Sequence, residues 1–380
     1  MKIAILAPHA GYMVGGLETA ARGLRNQLLE KHQCVIFSLA QTSWTTGIPG
    51  KKSSPSYTLV RRLRLNYLNH LLPSMYIIKD HARAEFSYCC HLLPVLRRFD
   101  PDIIINFNLS IIALFCRYYR RRYGVPFIHV GEAGCVYIEA KSAMAGPDAY
   151  VALTPAARRY IQSRVPGLRV VVIPNGVDLN LFSVQGPRMS LDDLFSRSSH
   201  TNIKPQPPLI LSTSRLVKEK RLDLLIKAAG RLEKGTLILV GYGNARRKLF
   251  ELGQKILPDR LIFLDTVNQK ELAKLYRSCD VFSLPSTNEA FGNVLVEAMA
   301  CGLPVVATDE EGFRWMVGEK GGILVDVTDT TAYASALKEA CRREFGDGPS
   351  RQAQNFSWQV VGEKYEELME SILHPEKGSM

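Results

Sequence analysis

The 380-residue sequence contains no C-x-x-C pair. Its eight cysteines stand singly or adjacent at 34, 89, 90, 116, 135, 279, 301 and 341. That spacing excludes the common zinc and dithiol motifs, and the simplest expectation is reduced thiols in a cytosolic protein. Long apolar runs are also missing. The longest, 103–115, is interrupted by Asn106, Asn108 and Ser110, which makes it too short and too polar to span a bilayer. The opening MKIAILAPHAGYMVGG has one lysine and no evident cleavage site. It leads into a glycine loop and a helical pattern, so a first strand is expected there rather than a signal peptide. The G-x-G-x-x-G dinucleotide fingerprint does not follow that strand. No recognisable nucleic-acid module occurs, so no nucleic-acid partner is expected.

Acidic residues are scarce in one half. Residues 1–195 hold 23 Lys+Arg against 12 Asp+Glu, a surplus of 11, whereas 196–380 hold 25 against 24. The excess clusters at Lys51-Lys52, Arg61-Arg62-Arg64, Arg97-Arg98 and Arg117 with Arg120-Arg121-Arg122. A one-sided basic face suits an anionic partner such as a membrane surface or a phosphorylated acceptor; a merely solvated face is the plainer alternative. The expected location is therefore cytoplasmic, or peripheral on the cytoplasmic face of a membrane.

What is present is the composition of a globular protein, with 46% hydrophobic and 22% charged residues, at a length that favours two domains. Apolar strand patterns alternate with helical ones through both halves. The expected fold is α/β, two doubly wound Rossmann-like domains facing across a cleft. The boundaries are expected at 1–195 and 209–357, with 196–208 as linker because of its polar run ending in Pro205-Gln206-Pro207-Pro208. A last helix at about 358–373 follows. Tyr57 to Leu72 mixes Leu, Tyr and Arg at roughly helical spacing, which suits a basic amphipathic surface helix. Asp100-Pro101-Asp102 has the form of a metal-binding D-x-D. It sits at a helix-to-strand turn, however, and no metal or other cofactor is expected.

The most informative stretch is 279–308, CDVFSLPSTNEAFGNVLVEAMACGLPVVAT. Val281 to Leu284 reads as a buried parallel strand. Pro285 to Asn288 break it, and a helix begins around Gly292 and ends at Gly302 and Pro304. In open α/β sheets a loop at a strand's carboxyl end binds ligands. A helix start there offers unpaired amides to a phosphate. Glu289 precedes that start and Glu297 lies two helical turns further on. Two acids flanking a phosphate site suit the hydroxyls of a nucleotide sugar. Gly15-Gly16, just before the first helix, offers a similar close backbone approach. His129 stands near the end of an apolar strand, before Gly131 and Gly134, where a side chain facing the cleft or one packed in the core are both open readings.

Five motifs occur in order: Gly15-Gly16-Leu17-Glu18, Asn175-Gly176-Val177-Asp178, Arg215-Leu216-Val217-Lys218-Glu219-Lys220, the turn Gly241-Tyr242-Gly243, and Glu289-Ala290-Phe291-Gly292 through Glu297 to Thr308. Together they resemble the GT-B fold retaining glycosyltransferases of family 4, also called glycosyltransferases group 1. The resemblance implies transfer of a sugar, with retention, from a nucleotide-diphosphate donor (UDP favoured, GDP open) to an acceptor hydroxyl on a lipid-linked or glycan acceptor. It implies catalytic roles for His129, Arg215, Lys220 and Glu289. It implies donor binding by Gly15, Gly16, Gly241, Phe291, Gly292, Asn293, Val294 and Glu297, with Glu297 on the ribose. It also implies that the last helix returns to the first domain. An epimerase or phosphorylase on the same fold, and a catalytically silent membrane scaffold, are the alternatives. The hairpin expected to touch the base reads Leu264-Asp265-Thr266-Val267-Asn268 and lacks the family's glycine, so the base stays open. Residues 41–98 match no motif, and the acceptor stays unassigned.

Overall fold

A computed structural model describes residues 1–8, 10, 15–39, 57–60, 76–108, 111–132, 136–190, 193, 205–287 and 289–375. Two compact units result. The first comprises Met1–Gly176 with Trp358–Met380, and the second comprises Val177–Ser357.

The first unit is built on a parallel sheet of seven strands in the order β3-β2-β1-β4-β5-β6-β7. They are β1 (Lys2–Leu6), β2 (Gln33–Leu39), β3 (Tyr57–Val60), β4 (Ile103–Asn106), β5 (Phe127–Gly131), β6 (Ala149–Ala152) and β7 (Val170–Val172). The strands β4, β5 and β6 are buried along their whole length. This is why they read as continuous apolar runs rather than as alternating ones: helices cover both faces of a parallel sheet. The helices Gly16–Leu28, Tyr76–Phe99, Ile111–Tyr123, Val136–Ala143 and Pro155–Arg164 supply that cover. Thr154 caps the last of these by accepting from the Ala157 amide at 3.2 Å, and proline fills its first position, where a missing N–H costs nothing.

The second unit carries a six-stranded parallel sheet in the order β10-β9-β8-β11-β12-β13. Its strands are β8 (Leu209–Thr213), β9 (Thr236–Val240), β10 (Leu261–Leu264), β11 (Val281–Leu284), β12 (Val305–Thr308) and β13 (Gly322–Val325). Its core gathers Leu222, Leu225 and Ile226 of the helix Leu222–Gly230 with Leu237, Leu239, Phe263, Val281 and Tyr333. Both sheets are doubly wound, and in each the strand order reverses once, between β1 and β4 and between β8 and β11. Ligands bind at such switch points.

Two expectations are corrected, and the linker expected at 196–208 lies mostly outside the described residues. Residues 57–60 are not helical: they form the edge strand β3, pairing Ile36 with Tyr57 through Leu39 with Val60. The β-favouring Tyr-Thr-Leu-Val run outweighs the looser helical spacing. The remaining part of that segment, and all of 41–56, lie outside the described residues. The first boundary falls at Gly176–Val177 rather than at 195. The segment after Asp178 belongs to the second unit because the buried Arg277 guanidinium donates to the carbonyls of Leu181, Ser183 and Pro187. The linker expected at 196–208 is described only from 205, where Gln206 already bonds Thr236. The helix Trp358–Leu373 packs on the first unit. A Cβ at Gly23 would lie 2.0 Å from the Trp358 ring, so the two helices meet where glycine leaves room for the indole. Lys31 pairs with Glu366 at 2.8 Å and Arg169 donates to Ser371 at 2.8 Å. Among the described residues no helix is long and apolar enough to cross a membrane.

Candidate functional site

In the second unit the loops after β8 and β11 flank the switch point, and the sequence-predicted residues sit on them. Lys220 ends a short 3-10 turn, Lys218–Lys220, and Arg221 follows with φ 52°. That left-handed residue reverses the chain into the helix Leu222–Gly230 and leaves Lys220 turned to β11. Its ammonium pairs with Glu289 Oε1, both side chains being 17% exposed. Ser286 donates to the same oxygen at 2.5 Å. Glu289 is therefore oriented by a cation and a hydroxyl, a charge-assisted arrangement stronger than a neutral one. Ser286, fully buried, was not singled out in the sequence; its position three residues before Glu289 in the strand-to-helix loop was the available signal.

Arg215 lies on the same loop as Lys220 and is exposed. Among the described residues its guanidinium has no bonding partner, so its charge stands available to a ligand. The loop beneath it is shaped by Gly241. At φ 139° a Cβ there would lie 2.0 Å from the Ser214 carbonyl oxygen. Gly241 thus permits the β9 loop to press against the β8 loop that carries Arg215. This gives Gly241 a structural reason for being glycine, alongside the donor contact implied by the resemblance. Beyond it, Arg246 bonds Asp265 at 2.7 Å and lies over the Phe263 ring. Asp265, in the hairpin where the base preference stayed open, is held in this way by a cation.

The helix after β11 starts at Asn293, and Gly292 caps it at φ 98° with no side-chain hydrogen bond. Phe291 is buried, while Gly292, Asn293 and Val294 are part exposed. A helix start at a strand's carboxyl end suits a phosphate, and here the Leu295 amide already bonds the Gly292 carbonyl at 2.9 Å. Glu297, one turn inward, is part exposed and accepts from the Tyr276 hydroxyl at 3.2 Å. Tyr276 is fully buried and lies 3.2 Å from Thr213 Oγ1 at the end of β8. Burial pushes the Glu297 carboxyl up to about 7, partly offset by that hydroxyl. The structure thus brings Arg215, Lys220, Gly241, Glu289, the 291–294 turn and Glu297 to the carboxyl ends of β8, β9 and β11.

The first unit holds the remaining candidates. Gly15 caps the helix that begins at Gly16 without a side-chain bond, and Glu18 is its first-turn acid. His129 is the third of five residues in β5 and is fully buried. Asn106 on β4 fixes it: the Asn106 carbonyl oxygen accepts from the Asn108 amide at 3.0 Å, so its NH2 donates to His129 Nδ1 at 3.1 Å. The proton is then on Nε2. Burial pulls the imidazole down to about 3, so it is neutral at pH 7. Asp102 of the D-x-D accepts from the Lys2 amide at 2.7 Å. The residue at the ligand end of β5 is instead Glu132, whose Oε2 accepts from Asn175 at 3.3 Å.

Comparison with known proteins bears on the family. Residues 14–181 match the model for Glycosyltransferase Family 4, and 196–356 match the model for Glycosyl transferases group 1. A curated relative is the D-inositol 3-phosphate glycosyltransferase of Xylanimonas cellulosilytica, 33% identical over 205 residues, covering 50% of this chain and 48% of that one. The chain spans about half the length of the first curated relatives it matches. Among solved structures, sucrose-phosphate synthase from Thermosynechococcus elongatus superposes with a TM-score of 0.78 at 21% identity, over 99% of this chain and 100% of that one. HepE of Anabaena, solved with UDP and glucose, gives 0.73 at 19% identity over 98% and 100%. At these identities the structural likeness carries the fold, GT-B, and the two family models carry the kinship. With both sheets, the ordered motifs and the two matches in agreement, this chain belongs to the family 4 glycosyltransferases of the GT-B fold, its second unit being a glycosyl transferases group 1 domain.

Proposed function

We propose that the protein transfers a sugar from a nucleoside-diphosphate donor to an acceptor hydroxyl with retention of configuration, UDP being the favoured nucleotide. The observation that carries this is the grouping of Arg215, Lys220, Glu289 and the Gly292 helix start at the β8–β11 switch point. Two cations beside a helix start suit a diphosphate that gains charge as the glycosidic bond breaks. The Lys220 ammonium has three protons, so it can hold Glu289 and a phosphate oxygen together. Glu289, already oriented by Ser286, accepts from sugar hydroxyls, and Glu297 accepts from the ribose diol. The sugar C1–O bond to the diphosphate breaks, the acceptor oxygen bonds C1 on the same face, and the acceptor proton passes to the departing phosphate oxygen. UDP and UDP-glucose in the HepE structures support the choice of UDP.

A thermal-shift screen of UDP-, GDP- and ADP-sugars tests donor binding, because a ligand that binds only the folded state raises the melting temperature. Anomeric analysis of the product tests retention. No shift with any sugar nucleotide, or an inverted product, sinks the proposal.

A peripheral site on an anionic membrane belongs to the same proposal. It is supported by exposed Phe86, Leu114 and Tyr118 beside Arg117, Arg121 and Arg122 on the helices Tyr76–Phe99 and Ile111–Tyr123. Apolar and basic side chains on one face suit an anionic lipid surface. Flotation with phosphatidylserine vesicles at low and high salt tests it, and absence of binding at low salt sinks it.

A further inference from the structure

The carboxyl ends of β5 and β6 in the first unit hold polar groups that the donor chemistry does not use. Glu132 follows β5, Glu139 lies on the helix Val136–Ala143, Glu18 on the helix Gly16–Leu28, and Asn175 comes after β7. Glu18 and Glu139 are buried. Tyr150 of β6 donates to Glu139 Oε2 at 3.2 Å. This pair crowds the strand end: a Cβ at Gly131 would lie 2.3 Å from the Tyr150 hydroxyl and 3.1 Å from Glu139 Oε2. Glycine at 131 is thus what admits them.

Two atoms are left unmet. Among the described residues Glu132 Oε1 is enclosed without a hydrogen-bond partner, although Oε2 is held by Asn175. His129 Nε2, the protonated nitrogen of a fully buried ring stacked 5.3 Å from Tyr150, has none either. Buried polar groups are normally satisfied, and each exception calls for an explanation. Here His129 lies within β5 and Glu132 just past its end, where a parallel sheet presents its ligands.

We infer that Glu132, backed by Asn175 and flanked by Glu18 and Glu139, is the acceptor-side subsite for an uncharged polyol, and that this subsite rejects a phosphorylated one. The inference rests on the glycosyltransferase reading and names its acceptor class. A carboxyl group meets a hydroxyl with both a donor and an acceptor, whereas a phosphate placed there would face three acidic side chains. Burial first, then the neighbouring Glu139 and Glu18, with Asn175 opposing, bring the Glu132 carboxyl up to about 8. It is therefore largely protonated at pH 7 and able to donate as well as accept. Phosphate recognition by this unit would have to come from elsewhere on it.

The test is direct binding to the full chain without donor, read by saturation-transfer NMR, using myo-inositol and glucose against inositol 3-phosphate and glucose 6-phosphate. The free polyols should bind, the phosphate esters should bind at least tenfold more weakly, and Glu132→Gln should weaken the polyols about tenfold. Glu139→Gln is a second variant, expected to narrow the gap between polyol and ester, should Glu132→Gln fail to fold. Equal or tighter binding of the esters to the wild type, or polyol binding unchanged in a folded Glu132→Gln protein, overturns the inference. Because no donor is present, this outcome is separate from the sugar-nucleotide screen. A chain that binds polyols but no sugar nucleotide would fail only the donor reading.

Discussion

The two units share a plan and differ in charge at their ligand ends. At the β8–β11 switch of the second, Lys220 and Arg215 put cations beside Glu289. At the ends of β5 and β6 in the first, Glu132, Glu139 and Glu18 gather with Tyr150 and Asn175. The β8–β11 end is the one proposed to hold the donor diphosphate, and the β5–β6 end the one proposed to hold a polyol acceptor. Each also holds a carboxyl raised by burial, Glu297 to about 7 and Glu132 to about 8. Similar sheets can therefore divide the two halves of a group transfer, because the strand ends fix position and the loop residues fix sign.

The hardest blow to this contrast is the loss of a cation. Lys220→Ala should lower kcat by about 10²–10³-fold, as removal of a preorganised charge stabiliser does elsewhere. Arg215→Ala should act in the same direction with an unchanged melting temperature, since its exposed guanidinium bonds nothing among the described residues. Steady-state kinetics with a saturating acceptor reads both. A variant retaining more than a tenth of the wild-type rate would mean that the second unit does not owe its anion preference to these residues.

Next in size is a change of backbone rather than charge. Gly241→Ala places a methyl group 2.0 Å from the Ser214 carbonyl at φ 139°. It should cost about 1–3 kcal/mol of stability and weaken donor binding by displacing the Arg215 loop. Denaturant melts measure the first and donor titration the second. A variant that is stable yet donor-blind would move Gly241 from a packing role to direct contact.

Glu297 allows a finer test. Glu297→Gln should weaken UDP binding by ~10–100-fold if its carboxylate makes charge-assisted bonds of ~1.5–3 kcal/mol to the ribose. The acid is neutral below about 7 and ionised above it. Wild-type affinity should therefore rise as pH passes upward through 7, and the Gln variant should lack that rise. Stability runs the other way. The folded carboxyl keeps its proton to a higher pH than the unfolded one, so stability falls between about 4.5 and 7 as pH increases. The Gln variant should lose that slope too. A pH-independent wild-type affinity would separate Glu297 from the donor.

Legibility also differed between the units. In the second, the site residues lie in two short stretches, 215–220 and 289–297, and strand, loop and helix start can be recognised from local pattern. In the first, Glu18, Glu132, Glu139, Tyr150 and Asn175 come from five separate elements, so only tertiary packing brings them together. His129 shows why local reading fails there. Phe127–Gly131 is buried on both faces, and within such a strand a polar residue can as easily point into the core as toward a ligand. The run's continuous apolar character was the available signal. It placed His129 inside the strand and Glu132 just past its end, where a parallel sheet presents its ligands. The edge strand β3 was missed because an isolated four-residue run competes with a longer, looser helical spacing.

The smallest expected effect is at His129, and it separates a buried support from a catalyst. His129→Phe removes the Asn106 bond but fills the same space. At pH 7 the ring is already neutral, and its Nδ1 is taken by Asn106, so no proton transfer is lost. The rate should change by no more than about threefold, far short of the ~10²–10⁴-fold that loss of a general acid or base would remove. Stability against pH should change instead. The folded imidazole resists protonation down to about 3, whereas an unfolded one takes up a proton near 6.5. The unfolded state thus binds more protons between these values, and wild-type stability falls as pH drops from 6.5 toward 3. The Phe variant should lack that part of the acid sensitivity, which melts recorded from pH 7 to 4 would show. A hundredfold loss of rate with an unchanged acid profile would return His129 to the chemistry and leave Glu132 as its neighbour rather than its replacement.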